Sequence, residues 1–210
     1  EWLDKHGATL SHVGQGGGSS AARMHGPAGG AFVGPYLSKF FRDEAAKSNL
    51  DLRLNTKLVK LIKGHNGEIT GALVKGKHTG IYQIDAKAVI LATGGIGANP
   101  ALIQKLRPDI SPEVKTSNQP GSQGDGIILG ENVGAAVVDA KEIQLNPTLL
   151  VGSSVIVYET VRGSGSVFVY KEGKRYSRQL QTRKKTRAEV SKQTGGVDYE
   201  IFEQKARDKL

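Results

Sequence analysis

The sequence predicts an α/β fold that takes on α+β character toward its C-terminal end. Residues 51–63, 67–76 and 80–85 alternate between apolar and polar side chains, a pattern typical of strands with one solvated face. The unbroken apolar run "AVILA" at 88–92 instead predicts a central strand that is buried on both faces. Apolar residues at helical spacing over 31–49 predict a long helix before the first of these strands.

The composition is that of an ordinary globular chain, and it excludes several kinds of site. Of the 210 residues, 38% are hydrophobic and 23% are charged, and the apolar runs are too short to span a membrane. The absence of cysteine excludes disulfides, thiolate ligands and cysteine nucleophiles. The five histidines lack the spacing of metal ligands, so no metal site is predicted. The net charge of +9 favours an anionic partner, such as nucleic acid, a membrane surface or a small anionic ligand.

The remaining elements follow from local signals and place a domain boundary near residue 140. Helices are predicted over 99–109 and from about Gly124 to Asn132, and a further strand is predicted over 135–140. The segment 166–180 has the pattern of a hairpin, with Glu172 and Gly173 at its turn. We therefore predict one domain over 1–140 and the start of a second over 141–210.

Glycine clusters stand where predicted strands end and helices begin. "ATGG" at 92–95 follows the buried strand, and "GSQGDG" at 121–126 opens a helix. Glycine-rich backbone beside a helix N-terminus favours phosphate binding, because free N–H groups and the positive end of the helix dipole meet there. The carboxylate of Asp125 can accept hydrogen bonds from ribitol or ribose hydroxyls. Its alternative role is that of a helix cap, which spacing alone favours.

A series of motifs resembles one known family across nearly the whole chain. "DLRLNTKLVKLI", "GEITGALVKG", "AKAVILATGGIGAN", "SNQPGSQGDGIILGENVGA", "IQLNPT", "ETVRGSGSVFVYKEGKRY" and "QTR" follow one another in the order and spacing of fumarate reductase flavoproteins. Within that family, the chain resembles the flavocytochrome-type subunits in detail. The resemblance weakens after "QTR". It implies a partial FAD-binding, Rossmann-like domain with a β-meander over 1–140, followed by the start of a capping or catalytic domain.

The resemblance also implies FAD as the cofactor and suggests which residues bind it. Val59 matches a position on the adenine side, Thr93, Gly94 and Gly95 belong to the strand end near the dinucleotide, and Asp125 matches a flavin-binding aspartate. The family's first strand, its GxGxxG turn and its ribose-binding acid would precede residue 1. We therefore expect an internal piece of a larger flavoprotein, which alone would not hold FAD tightly. Any targeting signal would also lie upstream, so the location stays open between cytoplasmic and exported or membrane-associated.

The family's chemistry implies a set of catalytic residues in the second half of the chain. Such enzymes serve electron transport in anaerobic respiration: reduced flavin gives a hydride to one alkene carbon of fumarate, and an arginine gives a proton to the other. Arg183 in "QTR" matches that arginine, and Glu159 and Arg162 in "ETVRGSG" match the relay that supplies it. Residue chemistry leaves other roles open. Arg183 could clamp a substrate carboxylate, since an arginine pKa lies above about 12, and Glu159 with Arg162 could be a structural ion pair.

Several positions depart from the family pattern and bear on the substrate. Asn146 stands in "NPT" where the family has a substrate-binding histidine, and Tyr158 stands where a threonine contacts substrate. Lys184 replaces an aspartate, and "RQ" at 178–179 replaces Asn-Glu. Together with Glu159, Asn146 and Tyr158 are the predicted substrate-binding residues.

The prediction is an FAD-dependent enzyme that reduces the C=C bond of fumarate or a related unsaturated carboxylate. Its electrons would come from a donor domain or protein outside this chain, and no nucleic-acid partner is expected. The alternative is a basic module that binds nucleic acid or another polyanion through segments such as "RKKTR" at 183–187.

Overall fold

The computed structural model describes residues 1–16, 18–153 and 155–204, which fold as two compact units. The meander unit comprises Asp51–Ile143, and the split unit joins Glu1–Leu50 to the segment that begins at Gln144. One boundary thus falls close to the predicted position near residue 140. The first fifty residues, however, fold with the C-terminal segment. The assignment of 1–140 to a cofactor domain and of 141–210 to a capping domain stays a prediction.

The described residues form both helices and strands. The helices are α1 Trp2–Lys5, α2 Val33–Lys47, α3 Pro100–Leu106, α4 Asp125–Glu131, α5 Glu159–Gly163 and α6 Arg183–Val190. The strands are β1 His12–Gly14, β2 Met24–Gly26, β3 Thr56–Lys63, β4 Ile69–Gly76, β5 Gly80–Asp85, β6 Val167–Val169 and β7 Tyr199–Ile201. The mixed helix-and-sheet class is therefore confirmed, and every strand pair among the described residues is antiparallel.

The meander unit is built on the predicted meander, in which β3, β4 and β5 form one sheet in that order. Leu61 of β3 and Val74 of β4 are buried, which accounts for the alternating pattern of the sequence. Gly67 has a φ of 89° in the turn between these strands, a conformation that favours glycine. The pairing of β3 with β4 shifts register between Leu58 and Lys60, so Val59 lies at an irregularity of the sheet.

Two predicted strands are wrong. The "AVILA" segment at 88–92 forms no strand, and Ile90 is 90% exposed instead of buried. The segment 135–140 likewise forms none, and Val138 is 80% exposed. A strand needs a neighbour for its backbone N–H and C=O groups, and no described segment pairs with either run. Apolar composition does not by itself supply such a partner.

The predicted helices of the meander unit are confirmed. Asn99 caps α3, because its side chain accepts a hydrogen bond from the backbone N–H of Leu102 at 3.0 Å. Gly124 is the N-cap of α4, with a φ of 79°. Asp125 is therefore the first helical residue and does not cap α4 with its side chain, which overturns the capping alternative.

The split unit contains the predicted long helix and a small buried core. Helix α2 lies within the predicted 31–49 and ends at Lys47. The predicted hairpin over 166–180 is confirmed at its turn, where Gly173 donates to Tyr170 and has a φ of 76°. Strand β6, however, pairs along its whole length with β7. Phe168 of β6 is fully buried, as are three polar side chains near it in sequence or in α6: Arg162, Ser166 and Thr186.

The helices in the described ranges are too short or too polar to span a membrane. The longest helix in the described ranges, α2, has 15 residues, and none combines the length and hydrophobicity needed to cross a bilayer.

Candidate active site and cofactor-binding residues

The three predicted catalytic residues meet in the split unit. The carboxylate of Glu159 receives two hydrogen bonds from Arg183: Nε donates to Oε1 at 2.7 Å and Nη2 donates to Oε2 at 3.0 Å. This is the bidentate fork that makes an arginine–carboxylate pair both strong and directional. Nη1 of Arg183 donates to Oε1 of Gln144 at 2.6 Å. Glu159 is 14% exposed and Arg183 is 37% exposed, so the pair lies at the edge of the unit's interior.

Arg162 stands behind Glu159 and is fully buried. Its Nη2 lies 3.1 Å from Oε1 of Glu159, three residues earlier in α5. Within the described chain, no nitrogen of this guanidinium makes a hydrogen bond. Glu159 is therefore the ion-pair partner that compensates this buried charge. Glu159 thus bridges two arginines, as a relay requires.

Glycine-rich backbone packs closely against this cluster. A Cβ on Gly163, at the end of α5, would lie 2.6 Å from the carbonyl oxygen of Gln15. A Cβ on Gly16 would lie 2.6 Å from Sδ of Met24 and 3.8 Å from Oε2 of Glu159. The N-terminal glycine loop, which reads as a linker from composition, therefore forms a wall of the candidate site.

The two arginines set the charge of Glu159. Burial by itself raises the pKa of Glu159, but the hydrogen bonds and positive charges of Arg183 and Arg162 outweigh burial and hold that pKa below its usual value. The hydrogen bond to Glu159 raises the pKa of Arg183. Burial lowers the pKa of Arg162, against the opposing effect of Glu159. Of the two arginines, the buried one is thus held less firmly in its charged form.

The predicted substrate residues lie on neighbouring segments of the same unit. Asn146 Oδ1 accepts hydrogen bonds from the backbone N–H and the hydroxyl of Thr148 at 3.0 and 3.3 Å. Because a backbone N–H only donates, the oxygen of Asn146 is the engaged atom and its amide N–H₂ is left as a donor. Antiparallel pairing of Leu149 with Ile156 brings this segment alongside the one that leads to Tyr158 and Glu159. The ring of Tyr158 is half exposed and lies 5.2 Å from that of Phe32.

The predicted cofactor residues gather in the meander unit. The Gly124 N–H donates to the carbonyl of Gly95 at 3.1 Å, which joins the "ATGG" loop to the start of α4. Asp125 pairs with Lys57 of β3 at 3.1 Å, two residues from Val59. Thr93 approaches the backbone of Gly126 through its hydroxyl.

These residues fit the polar parts of FAD, the cofactor that the resemblance implies. Gly94 has a φ of 73°, and a Cβ on Gly94 or Gly95 would meet nothing within 4 Å, so the backbone there is open to close approach. Asp125 supplies a carboxylate for hydroxyls and Thr93 a hydroxyl. Thr93, Gly94, Gly95 and Asp125 would hold the cofactor, with Val59 adding an apolar contact. FAD would supply hydride transfer.

Sequence reasoning missed two parts of the cluster around the arginines. Gln144 immediately precedes "LNPT" and binds Arg183, but a lone glutamine carries no spacing signal. Glu200 accepts a hydrogen bond from Ser166 at 2.5 Å close to Arg162, and it lies in the region where the family resemblance fades. In β7, Tyr199 and Ile201 are exposed, and Glu200 between them faces the opposite side. Strand alternation over 199–201 is the sequence signal that could have indicated this.

Known proteins and a family model match this chain over nearly its whole length. The model of the FAD binding domain family matches residues 1–202. A fumarate reductase (cytochrome) of Shewanella frigidimarina is 43% identical over all 210 residues, which span 37% of its length. A urocanate reductase of Eggerthella lenta is 30% identical over 91% of this chain and 32% of its own.

A solved structure supports the same relationship. The open conformation of a flavocytochrome c3 fumarate reductase matches the whole chain with a TM-score of 0.79 and 38% identity, over 37% of its own length. The chain thus spans about a third of the length of these relatives. The matches bear out the resemblance and indicate FAD as the cofactor, and they give no support to the nucleic-acid alternative. The chain belongs to the FAD binding domain family.

Proposed function

We propose that this chain is the FAD-binding and proton-delivering part of an oxidoreductase that reduces the C=C bond of a small unsaturated carboxylate. The observation that carries the proposal is the Arg183–Glu159–Arg162 cluster, in which one carboxylate contacts two arginines. The names of the relatives support the reaction class. Electrons would reach the flavin from a donor domain or protein.

Arg183 is the group that faces the reaction. Three of its five N–H donors are engaged by Glu159 and Gln144, so two remain for a substrate carboxylate or for a developing carbanion. FAD, when bound, would supply the hydride for one alkene carbon, and Arg183 gives a proton to the other. The ionised Glu159, hydrogen-bonded to Arg183 and in contact with Arg162, then passes a proton from Arg162 to Arg183, and water restores the proton to Arg162. A clamp role would use the same two N–H groups but would move no proton.

Turnover of Arg183 variants separates the two roles. In the full-length, flavin-loaded protein, Arg183→Ala should lower kcat by at least about a thousandfold if Arg183 delivers the proton, at the scale of an essential acid, with the flavin still bound and reducible. Arg183→Lys should also be poor, because an ammonium cannot form the fork. Arg187→Ala, an exposed arginine of the same helix, is the control. A raised KM with unchanged kcat would refute proton delivery and leave the clamp.

We further propose that the preferred substrate is an unsaturated acid other than fumarate. Asn146 offers a neutral amide donor where a charged histidine would bind a carboxylate, and charge-assisted bonds are roughly twice as strong. The half-exposed Tyr158, in contact with Phe32, adds aromatic surface to the same region. The kcat/KM for fumarate should therefore fall below that for an acid with an aromatic or amide-bearing end. A panel of fumarate, acrylate, cinnamate-type acids and urocanate tests this, and a tenfold lead for fumarate would refute it.

A further inference from the structure

One ion pair joins the two segments of the meander unit that carry predicted cofactor residues. Nζ of Lys57, in β3, lies 3.1 Å from Oδ2 of Asp125, the first residue of α4. Gly124, just before Asp125, donates its N–H to the carbonyl of Gly95 at 3.1 Å. The Asp125 carboxylate therefore lies where β3, the glycine loop at 92–95 and the start of α4 come together.

The carboxylate of Asp125 keeps the capacity to bind a ligand. It is not used to cap α4, and the contact with Lys57 involves only one of its oxygens, Oδ2. The side chain is 35% exposed, so a ligand can reach it. Because both oxygens of a carboxylate accept hydrogen bonds, Oδ1 can accept one from a sugar hydroxyl while Lys57 holds Oδ2.

Lys57 itself stands between a like charge and this carboxylate. Its partner across the sheet is Lys75 of β4, and like charges directly opposite each other repel. Asp125 supplies a negative charge on the side of α4. The shift in register after Leu58 gives β3 an extra residue beside this contact, and such bulges redirect side chains. Repulsion from Lys75 and attraction to Asp125 both draw the Lys57 ammonium toward the carboxylate, which restricts where the two groups point.

We propose that Lys57 is a positioning residue for FAD: its ammonium fixes the Asp125 carboxylate so that the second oxygen is presented to a hydroxyl of the cofactor. Lys57 acts through Asp125 and not on the cofactor directly. Without Lys57 the carboxylate keeps its charge but rotates more freely, so binding has to order it, which weakens the affinity. The inference rests on the proposed cofactor role of Asp125, and it is independent of the proton relay and of the substrate.

Two other lysines of β3 show what a different role would look like. Nζ of Lys63 donates to the carbonyl of Val133 at 3.1 Å, just beyond the end of α4. Lys63 thus ties the strand to backbone near this helix without contacting Asp125, and Lys60 is an exposed lysine between the two. The side chain of Lys57 is 67% exposed, and ion pairs at such positions add little to folding stability. Replacing Lys57 should therefore change FAD binding without changing the urea midpoint of unfolding.

The first experiment measures FAD affinity and requires no turnover. The full-length protein, stripped of its flavin, is titrated with FAD and binding is followed by flavin fluorescence. Lys57→Gln should raise the Kd about tenfold, the scale of one hydrogen bond to a charged group, and Lys57→Arg, which keeps a cation, should restore most of the affinity. Lys60→Gln and Lys63→Gln make the same change in charge and should stay within about twofold of the wild-type Kd, as surface changes do. Equal affinity in Lys57→Gln and Lys60→Gln would overturn the proposal.

A double-mutant cycle distinguishes positioning from direct binding. Asp125→Asn keeps the shape of the side chain and removes its charge, and it should also raise the Kd for FAD about tenfold. If Lys57 acts through Asp125, adding Lys57→Gln to Asp125→Asn should change the Kd by less than about twofold. Additive effects would mean that Lys57 binds FAD on its own, which contradicts the positioning role.

The remaining outcomes separate this inference from the proposed reaction. Wild-type FAD affinity in Asp125→Asn would remove Asp125 from the cofactor site, and the role of Lys57 with it. A protein that shows the expected cycle but reduces no unsaturated acid would refute the proposed reaction and leave the role of Lys57 standing.

Discussion

Glu159 should be the side chain on which the local stability of the split unit most depends. Its carboxylate accepts two hydrogen bonds from Arg183 and contacts Arg162 at 3.1 Å. Glu159→Gln keeps the shape but removes the charge, so the fully buried Arg162 loses its ion pair with Glu159. Breaking a buried pair in this way costs about 3–5 kcal/mol. Because Arg183 is 37% exposed and partly solvated, we expect the lower end, about 3 kcal/mol.

The pH dependence of this loss follows from the pKa of Glu159. That pKa is lowered in the folded state, so its contribution is complete above the ordinary value of about 4.3. It is lost as the pH falls through the lower, folded value. Wild-type and Glu159→Gln proteins should therefore differ fully at neutral pH and converge in acid.

Urea denaturation of the full-length protein, followed at several pH values, measures both effects. Glu172→Gln is the matched control, because it makes the same chemical change at an exposed turn. A Glu159→Gln protein within about 0.5 kcal/mol of that control at pH 7, the ordinary scale for surface changes, would refute the reasoning. It would mean that water already compensates the charge of Arg162.

Two further changes test other parts of the site. Gly163→Ala should destabilise the protein by about 1–3 kcal/mol, the cost of overpacking, because the new Cβ would lie 2.6 Å from the Gln15 carbonyl oxygen. The control is Gly34→Ala in α2, where a Cβ would meet nothing within 4 Å. In the same urea titration, this control variant should be as stable as the wild-type protein or more stable. Asn146→His should raise kcat/KM for fumarate about tenfold relative to the native enzyme, because it restores a charged donor. The comparison is made below pH 6.5, where histidine carries its charge. If kcat/KM does not rise, another residue binds that carboxylate.

Local pattern predicted the parts of this fold that local forces determine. The meander and α2, α3 and α4 were predictable because alternation, helical spacing and glycine turns act within a few residues. The strand at 88–92 was not, because the same apolar run is a strand only beside a partner, and Ile90 has none among the described segments. The inclusion of residues 1–50 in the split unit depends on long-range contacts, such as that of Gly163 with Gln15, which no window of sequence contains.

The residues of the candidate site likewise differ in whether the sequence alone could bring them together. Glu159 and Arg162 lie one helical turn apart, so their contact is visible in the sequence. Their meeting with Arg183 needed the family resemblance, since 24 residues separate Glu159 from Arg183. Gln144 and Glu200 carried neither signal and appeared only in the structure.

Burial distinguishes Arg162 from Arg183 within the cluster. An arginine held at a surface would keep its proton under all ordinary conditions, because its pKa lies above about 12. Here the exposed arginine, Arg183, has its pKa raised by Glu159, whereas burial lowers the pKa of Arg162. Glu159 lies between the two and contacts both. Under the proposed function, Glu159 would be the group that passes a proton between Arg162 and Arg183, and the buried position of Arg162 would keep that path away from bulk water.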